Sequence, residues 1–158
     1  MNDQDNAFKP IIEASVITYN ATSNTMAKLK IKESLKETIK KWTDQPVNMV
    51  SVAVMQECEK RGINPFELLW PKRNIIGKDE NGKSLLLWEH TTPIGELFDQ
   101  FIKCKSGDEI ENVMSSYSGV CWIMRHEDNA LNKSKYRSKR PGGWKSCYES
   151  CGIEVIVK

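Results

Sequence analysis

The sequence has no long hydrophobic run, few glycines and only two histidines among its 158 residues. No apolar run approaches the roughly 20 residues that cross a bilayer. The first eight residues are polar and partly acidic, where a secretory signal is basic and then apolar. The nine glycines never form the G-x-x-x-x-G-K or G-x-G-x-x-G patterns of nucleotide-binding loops. We therefore expect a cytoplasmic protein with no membrane partner and no nucleotide cofactor.

The cysteines do not indicate a disulfide framework, because there are five of them and their spacing is irregular. Free cysteines are usually small core residues, which is the simplest interpretation of Cys58 and Cys121. An alternative is a zinc site, because Cys121, Cys147, Cys151 and His126 together offer four ligands. Structural zinc sites usually contain two closely spaced cysteine pairs, and here only Cys147 and Cys151 are close in sequence. The sequence therefore favours reduced thiols.

The overall composition is that of one ordinary globular domain spanning residues 1–158, with 39% hydrophobic residues, 28% charged residues and a net charge of +2. The charges are unevenly distributed. Residues 28–41 contain six lysines against two glutamates, and residues 125–145 contain seven basic against two acidic residues. These segments have net charges of +4 and +5. Because a basic face concentrates phosphate-bearing polymers near it, we expect DNA or RNA among the partners.

Hydrophobic periodicity and turn signals predict alternating helices and strands. Residues 11–19 are rich in β-branched types and predict a strand. Helices are predicted at residues 26–42, 46–62, 93–102, 108–117, 127–132 and 144–150, with a short helical turn after Asn64. Further strands are predicted as a hairpin at 74–76 and 85–88, a buried strand at 119–124 and a terminal strand at 153–157. The pattern predicts an α+β domain in which several helices pack on a small mixed or antiparallel sheet.

Both histidines directly follow predicted strands. His90 directly follows the segment Leu85-Leu86-Leu87-Trp88-Glu89. His126 directly follows the predicted buried strand and Arg125. A side chain at a strand end can reach a cleft while its backbone stays fixed, and imidazole acts as a general base near neutral pH or as a metal ligand. A histidine in this position is also commonly a capping or hydrogen-bonding residue. Both interpretations remain open for each histidine.

Three segments together resemble the HNH, or ββα-metal, nuclease motif: Glu89-His90-Thr91-Thr92-Pro93, the strand at 119–124, and the helix that opens with His126-Glu127-Asp128-Asn129. In that family a strand ends at the catalytic histidine, and a later helix supplies metal ligands. The resemblance implies that His90 is the general base that deprotonates water, with Glu89 beside it in the catalytic site. It also implies that a magnesium or manganese ion is bound by residues drawn from Glu89, His126, Asp128 and Asn129.

The chain also resembles uncharacterised small bacterial and phage proteins. The shared features are an E-H-x-x-P element beginning at Glu89, an E-D-x-x-L element beginning at Glu127, and a terminal set of Trp144, Tyr148 and Gly152-Ile153. This resemblance implies no known activity. The small size, the polarised charge and the lack of a strong catalytic motif favour an alternative to the nuclease. This alternative is a non-enzymatic protein of phage or mobile-element type that binds or inhibits a protein or nucleoprotein partner.

A second candidate site is the basic, aromatic-interleaved loop at residues 133–145. Lysine and arginine side chains contact phosphates and release counterions, and exposed aromatic rings stack on bases. The candidate contact residues are Lys133, Lys135, Tyr136, Arg137, Lys139, Arg140, Trp144 and Lys145. The alternative is a solvated loop in which Trp144 docks against the core, because a tryptophan is usually mostly buried. The sequence leaves open whether the polymer is DNA or RNA.

A third basic feature is a lysine stripe on the predicted helix at 26–42, where Lys28, Lys32, Lys36 and Lys40 recur every four residues. Such a stripe is typical of the solvated face of an amphipathic helix. The alternative is a surface for an acidic partner or for an anionic membrane.

Overall fold

The computed structural model describes all 158 residues and divides them into two compact units. The first unit comprises Met1–Asp44 and Thr92–Ser118, and the second comprises Gln45–Thr91 and Gly119–Lys158. Seven helices and a four-stranded mixed sheet make the fold α+β, which confirms the predicted class. That residues 1–158 form a single domain stays a prediction. No helix combines the length and the apolarity that crossing a membrane requires.

The helices are α1 (Asp3–Ala21), α2 (Thr25–Thr43), α3 (Val52–Glu59), α4 (Ile94–Phe101), α5 (Gly107–Ser116), α6 (Arg125–Lys133) and α7 (Trp144–Ser150). The strands are β1 (Met49–Ser51), β2 (Leu86–His90), β3 (Val120–Met124) and β4 (Val155–Val157). Two short 3-10 helices, Pro65–Glu67 and Trp70–Lys72, lie between α3 and β2 in the chain. The predicted helix at 26–42, the turn after Asn64 and the buried strand at 119–124 are confirmed.

The predicted strand over residues 11–19 is wrong, because these residues lie inside α1. Asn2 and Asp5 form a capping box that satisfies N–H groups at the start of this helix. Ile12 and Val16, which are four residues apart, are both buried in the core of the first unit. Packing of this helix face therefore outweighs the strand preference of the β-branched residues.

The first unit is entirely helical, with α1, α2, α4 and α5 around one apolar core. Trp42 of α2 is fully buried, and its ring lies edge-on to that of Phe101 with 5.8 Å between the centroids. Its indole N–H donates to Asp5 Oδ1 at 2.8 Å, which ties α2 to the first turn of α1. The pairing of Lys9 Nζ with Glu111 Oε2 at 2.5 Å links α1 to α5.

The second unit is built on the sheet, whose strands lie in the order β2-β3-β1-β4. β1 runs parallel to β3, whereas β2 pairs with β3 and β4 pairs with β1 in antiparallel fashion. Because successive side chains of a strand point to opposite faces, the sheet has two distinct packing surfaces. One face packs against α3 and the segment before β2 through Val50 and Trp122. The other packs against α6 and α7 through Met49, Cys121 and Ile123.

Two predictions for the second unit are wrong in part. Residues 46–62 do not form one helix, because Met49–Ser51 form the inner strand β1 and α3 spans only Val52–Glu59. A short apolar run has the same pattern in a buried strand and in a buried helix. The sequence around Met49–Ser51 therefore did not distinguish a strand from a helix. The predicted hairpin is correct only for β2, since residues 74–76 form a turn and a single isolated bridge joins Lys78 to Ser84.

Ser51 connects three elements of the second unit and provides the first test. Its hydroxyl donates to Glu127 Oε2 at 2.7 Å and accepts the N–H of Val54 at 3.2 Å. Ser51→Ala removes both bonds and deprives a buried carboxylate of a donor, so we expect the free energy of unfolding to fall by about 2–4 kcal/mol. Denaturation in urea measures this loss.

The matched control is Ser106→Ala, because Ser106 also caps a helix but does so at an exposed position. We expect this control to cost about 1 kcal/mol, the ordinary value of an N-cap. Equal losses in the two variants would contradict the stabilising role of the Ser51–Glu127 bond.

Candidate nucleic-acid interface

The predicted loop at 133–145 is shorter in the structure, because α6 ends at Lys133 and α7 begins at Trp144. The segment as a whole places most of its charged side chains in solvent. Lys133, Lys135, Arg137, Lys139 and Lys145 are all exposed, and we call these five residues the basic surface. The loop folds back directly after α6, where the N–H of Tyr136 donates to the carbonyl of Leu131 at 2.9 Å. Five cations are thereby presented on one short segment of the second unit.

The two aromatic residues of this segment, one in the loop and one at the start of α7, have a different role from the lysines. Tyr136 and Trp144 are half-buried and pack against the core between the sheet and α6 and α7. The Trp144 ring stands edge-on to Tyr148, with 5.4 Å between the centroids. This agrees with the alternative in which Trp144 docks inward, and it leaves only part of each ring available to a nucleotide base.

Arg140 is not part of the basic surface, although it was among the contact residues predicted from the sequence. Only 3% of Arg140 is exposed, and its guanidinium forms an ion pair with the Glu89 carboxylate of β2. Three residues further on, the N–H of Gly143 donates to the Arg140 carbonyl at 2.9 Å. Arg140 therefore fixes the loop to the sheet instead of facing solvent.

The carboxyl group of Glu89 has a shifted pKa. Burial raises its pKa from 4.5 to about 7, and the nearby Asp128 carboxylate adds to the rise, whereas the Arg140 guanidinium opposes it. The Glu89 side chain still has 22% of its surface exposed. A partly accessible carboxyl group with such a pKa gains and loses its proton near neutral pH, as a general acid or base does.

Two further polar side chains lie in the interior around the Glu89–Arg140 pair. The hydroxyl of Tyr148 is buried without a hydrogen-bond partner, and burial raises the pKa of this phenol well above its ordinary value. Cys121 lies directly across from Glu89 in the β2–β3 register, and burial raises the pKa of its thiol as well. A thiol in this state is a poor nucleophile, because the thiolate is the reactive form.

The two predicted catalytic residues point to opposite faces of the sheet. Glu89 and His90 are consecutive in β2, so their side chains alternate. Glu89 lies on the α6 and α7 side with Arg140, and His90 lies on the side that contains Trp88 and Trp122. The geometry does not bring the carboxylate and the imidazole together over one phosphate.

The predicted metal ligands on α6 also diverge. His126 and Asn129 line a cleft of about 450 Å³ together with Asp79 and Arg125. Asp128 instead accepts a hydrogen bond from Asn132 at 3.0 Å, and its charge acts on Glu89. No group of three or more His, Cys, Asp or Glu side chains is placed to hold a metal ion. The site for a magnesium or manganese ion therefore stays a prediction.

The four candidate zinc ligands are also not brought together, because the cysteine thiols make separate contacts. The Cys147 thiol donates to the Pro141 carbonyl, and Cys151 contacts the Ser134 hydroxyl. Cys121 is fully buried within β3. Cys121, Cys147, Cys151 and His126 do not form a metal-binding group.

The lysine stripe of α2 is partly packed against aromatic rings. The ammonium of Lys28 lies 4.6 Å from the centroid of the Tyr19 ring, and those of Lys32 and Lys36 lie 5.5 and 5.3 Å from the Phe98 centroid. The three lysines are half-buried, and Lys40 is exposed. Their stems cover the core of the first unit, which favours the interpretation of this face as a solvated helix surface.

Comparisons with known proteins were made at the level of family models, curated sequences and solved structures. None of the three found a match. The resemblance to HNH nucleases therefore stays a prediction. The assignment of function depends on the residues of this chain alone.

The sequence did not reveal that Glu89 and Arg140 form a buried pair. One signal was present, because alternation in β2 places Glu89 on the same inward face as Leu87, where a charge requires a partner. Nothing in the sequence distinguished Arg140 from the exposed basic residues beside it. Its role depends on a contact across 51 residues of chain.

The Glu89 pKa predicts a specific pH dependence of stability. Because the folded-state pKa of about 7 lies above the ordinary 4.5, the folded protein binds this proton more tightly. The resulting stabilisation is complete below about pH 4.5 and is lost as the pH rises to about 7. Relative to Glu89→Gln, the free energy of unfolding of the native chain should fall by roughly 2–3 kcal/mol across this window.

Urea denaturation measures the difference in the free energy of unfolding between the native chain and Glu89→Gln. The measurements are made at pH 4.5, 5.5, 6.5 and 7.5, which bracket the titration. The control is Glu149→Gln, which removes an exposed carboxylate from α7 and should leave the pH profile unchanged. A constant difference between the native chain and Glu89→Gln across these pH values would contradict the raised pKa.

Proposed function

We propose that the protein binds the phosphate backbone of nucleic acid through the basic surface. The observation behind this proposal is that five exposed cations lie on one short segment, from the last residue of α6 to the second residue of α7. A buried ion pair, Glu89–Arg140, joins this segment to the sheet. A fixed loop loses little conformational freedom on binding, so more of the electrostatic attraction contributes to affinity. The proposal retains DNA and RNA as candidates.

The chemistry of the basic surface favours phosphate contacts over base contacts. Lysine and arginine neutralise phosphates and release condensed counterions, which makes affinity fall steeply with salt. Phosphate contacts position a protein on a nucleic acid, whereas sequence is read by groups that reach base edges. Because Tyr136 and Trp144 pack partly inward, we propose binding with little sequence preference.

A charge-neutralised variant tests this function. Replacing Lys133, Lys135, Arg137 and Lys139 with glutamine removes four phosphate contacts, and we expect the slope of log affinity against log salt to decrease by about 3–4. Fluorescence anisotropy with labelled single- and double-stranded DNA and RNA measures the slope.

The matched control replaces Lys30, Lys40, Lys41 and Lys78 with glutamine, because these four lysines are also exposed but lie outside the loop. Both variants have the same net charge. If both variants weaken nucleic-acid binding equally, binding depends on the total charge of the protein. That result would contradict a specific role of the basic surface. Absence of binding by the native chain at low salt would favour the alternative function, a non-enzymatic protein that binds a protein partner.

A nuclease activity is a second candidate, because Glu89 is a partly exposed carboxyl group with a pKa of about 7. General acid–base catalysis of phosphodiester cleavage requires a group of this kind. Since Glu89 and His90 lie on opposite faces of the sheet, they are tested separately. We expect Glu89→Gln to lower cleavage at least about 100-fold if its carboxyl group transfers the proton.

Cleavage is measured on the same labelled substrates with magnesium, manganese or EDTA. His90→Ala tests the role that the HNH resemblance implies for the imidazole. Loss of cleavage in His90→Ala alone would support that role, and full activity in both variants would contradict the catalytic assignment of either residue.

A further inference from the structure

The outer edge of β4 is open. β4 is the last strand of the sheet order, with β1 on one side and no strand on the other. Val157 is 62% exposed, although valine is usually buried in a sheet. An open edge with exposed apolar side chains offers a template for pairing with another strand.

The hydrogen bonds of β4 show which backbone groups point outward. The N–H of Val52 donates to the Glu154 carbonyl, and the N–H of Lys158 donates to the Asn48 carbonyl. Ile156 pairs with Val50 between these two bonds. Because the bonding direction alternates along an antiparallel strand, the N–H and C=O groups of Val155 and Val157 point away from β1, toward solvent.

We propose that a second copy of this chain pairs with this edge, β4 against β4 in antiparallel orientation about a twofold axis at Ile156. In this register Val155 of one copy lies opposite Val157 of the second copy, and both residues have outward-pointing backbone groups. Two such pairs exchange about four N–H···O bonds. The two sheets then form one continuous sheet, and neither β4 edge remains open.

The charges flanking β4 fit a second copy in this register. Glu154 and Lys158 lie at equal distances in sequence from Ile156, so the twofold axis places Glu154 of one copy opposite Lys158 of the second copy. Both residues are exposed in the single chain. Opposite charges directly across a strand pair are stabilising, and like charges there are destabilising. Any other register would lose this double complementarity.

The apolar side of β4 also fits a second copy. A cleft of about 590 Å³ runs between α7 and β4, with Trp144, Tyr148 and Ile153 in its lining. Val155 and Val157 border the same cleft. In the proposed dimer, Val157 of the second copy lies beside Val155 on this side of the sheet, so its exposed side chain becomes covered.

A charge-swap series tests the interface in the full chain. We expect sedimentation velocity to show a concentration-dependent dimer for the native protein. Glu154→Lys and Lys158→Glu each create two like-charge pairs, and each should raise the dimer dissociation constant at least about tenfold. The double variant Glu154→Lys with Lys158→Glu restores both pairs and should restore the native constant.

Val157→Pro provides a second test that leaves the bonds to β1 in place. It removes one outward N–H donor per copy, a change that an edge strand tolerates when that N–H faces solvent. We expect it to weaken the dimer, and we expect amide exchange at Val155 and Val157 to slow with rising concentration of the native chain.

Three results would overturn the inference. The first is a native chain that is monomeric at millimolar concentration. The second is a dimer whose dissociation constant does not respond to the charge swaps or to Val157→Pro. The third is a monomer whose β4 amides become protected only when an unrelated valine-rich peptide is added, which would assign the edge to other proteins.

Discussion

The buried ion pair between Glu89 and Arg140 is the constraint on which the candidate interface depends. Removing two opposite charges from water costs several kcal/mol each, and their mutual attraction offsets this only when the geometry is good. The pair joins β2 to the loop between α6 and α7. Without it, the segment between α6 and α7 would keep its charge but lose its buried attachment to β2.

The two faces of the sheet differ in their polarity. The face that packs on α3 is filled by apolar side chains such as Trp88 and Trp122, whose rings stand edge-on at 5.1 Å. The face that packs on α6 and α7 includes the half-buried Glu89, the buried Glu127 and the Tyr148 hydroxyl among its apolar residues. Polar groups in a protein interior are costly unless they are paired, so this face depends on specific partners such as Arg140 and Ser51.

The sequence predicted the elements whose pattern was locally consistent. The helix of α2, the helix after Pro93 and the buried strand β3 were found because caps, apolar period and length agreed. The prediction failed where residues 11–19 had strand-like composition inside a helix, and where a short apolar run at 46–51 fitted either state. In both places, packing against distant segments decides the local structure.

Composition and spacing alone established the fold class, the absence of nucleotide-binding motifs and the concentration of positive charge at residues 125–145. They did so because helical period, strand length and net charge are local properties of the chain. The pairing of Glu89 with Arg140 and the open edge of β4 arose only in the folded chain. Each depends on which strand lies beside which, and that order is fixed by contacts between residues far apart in sequence.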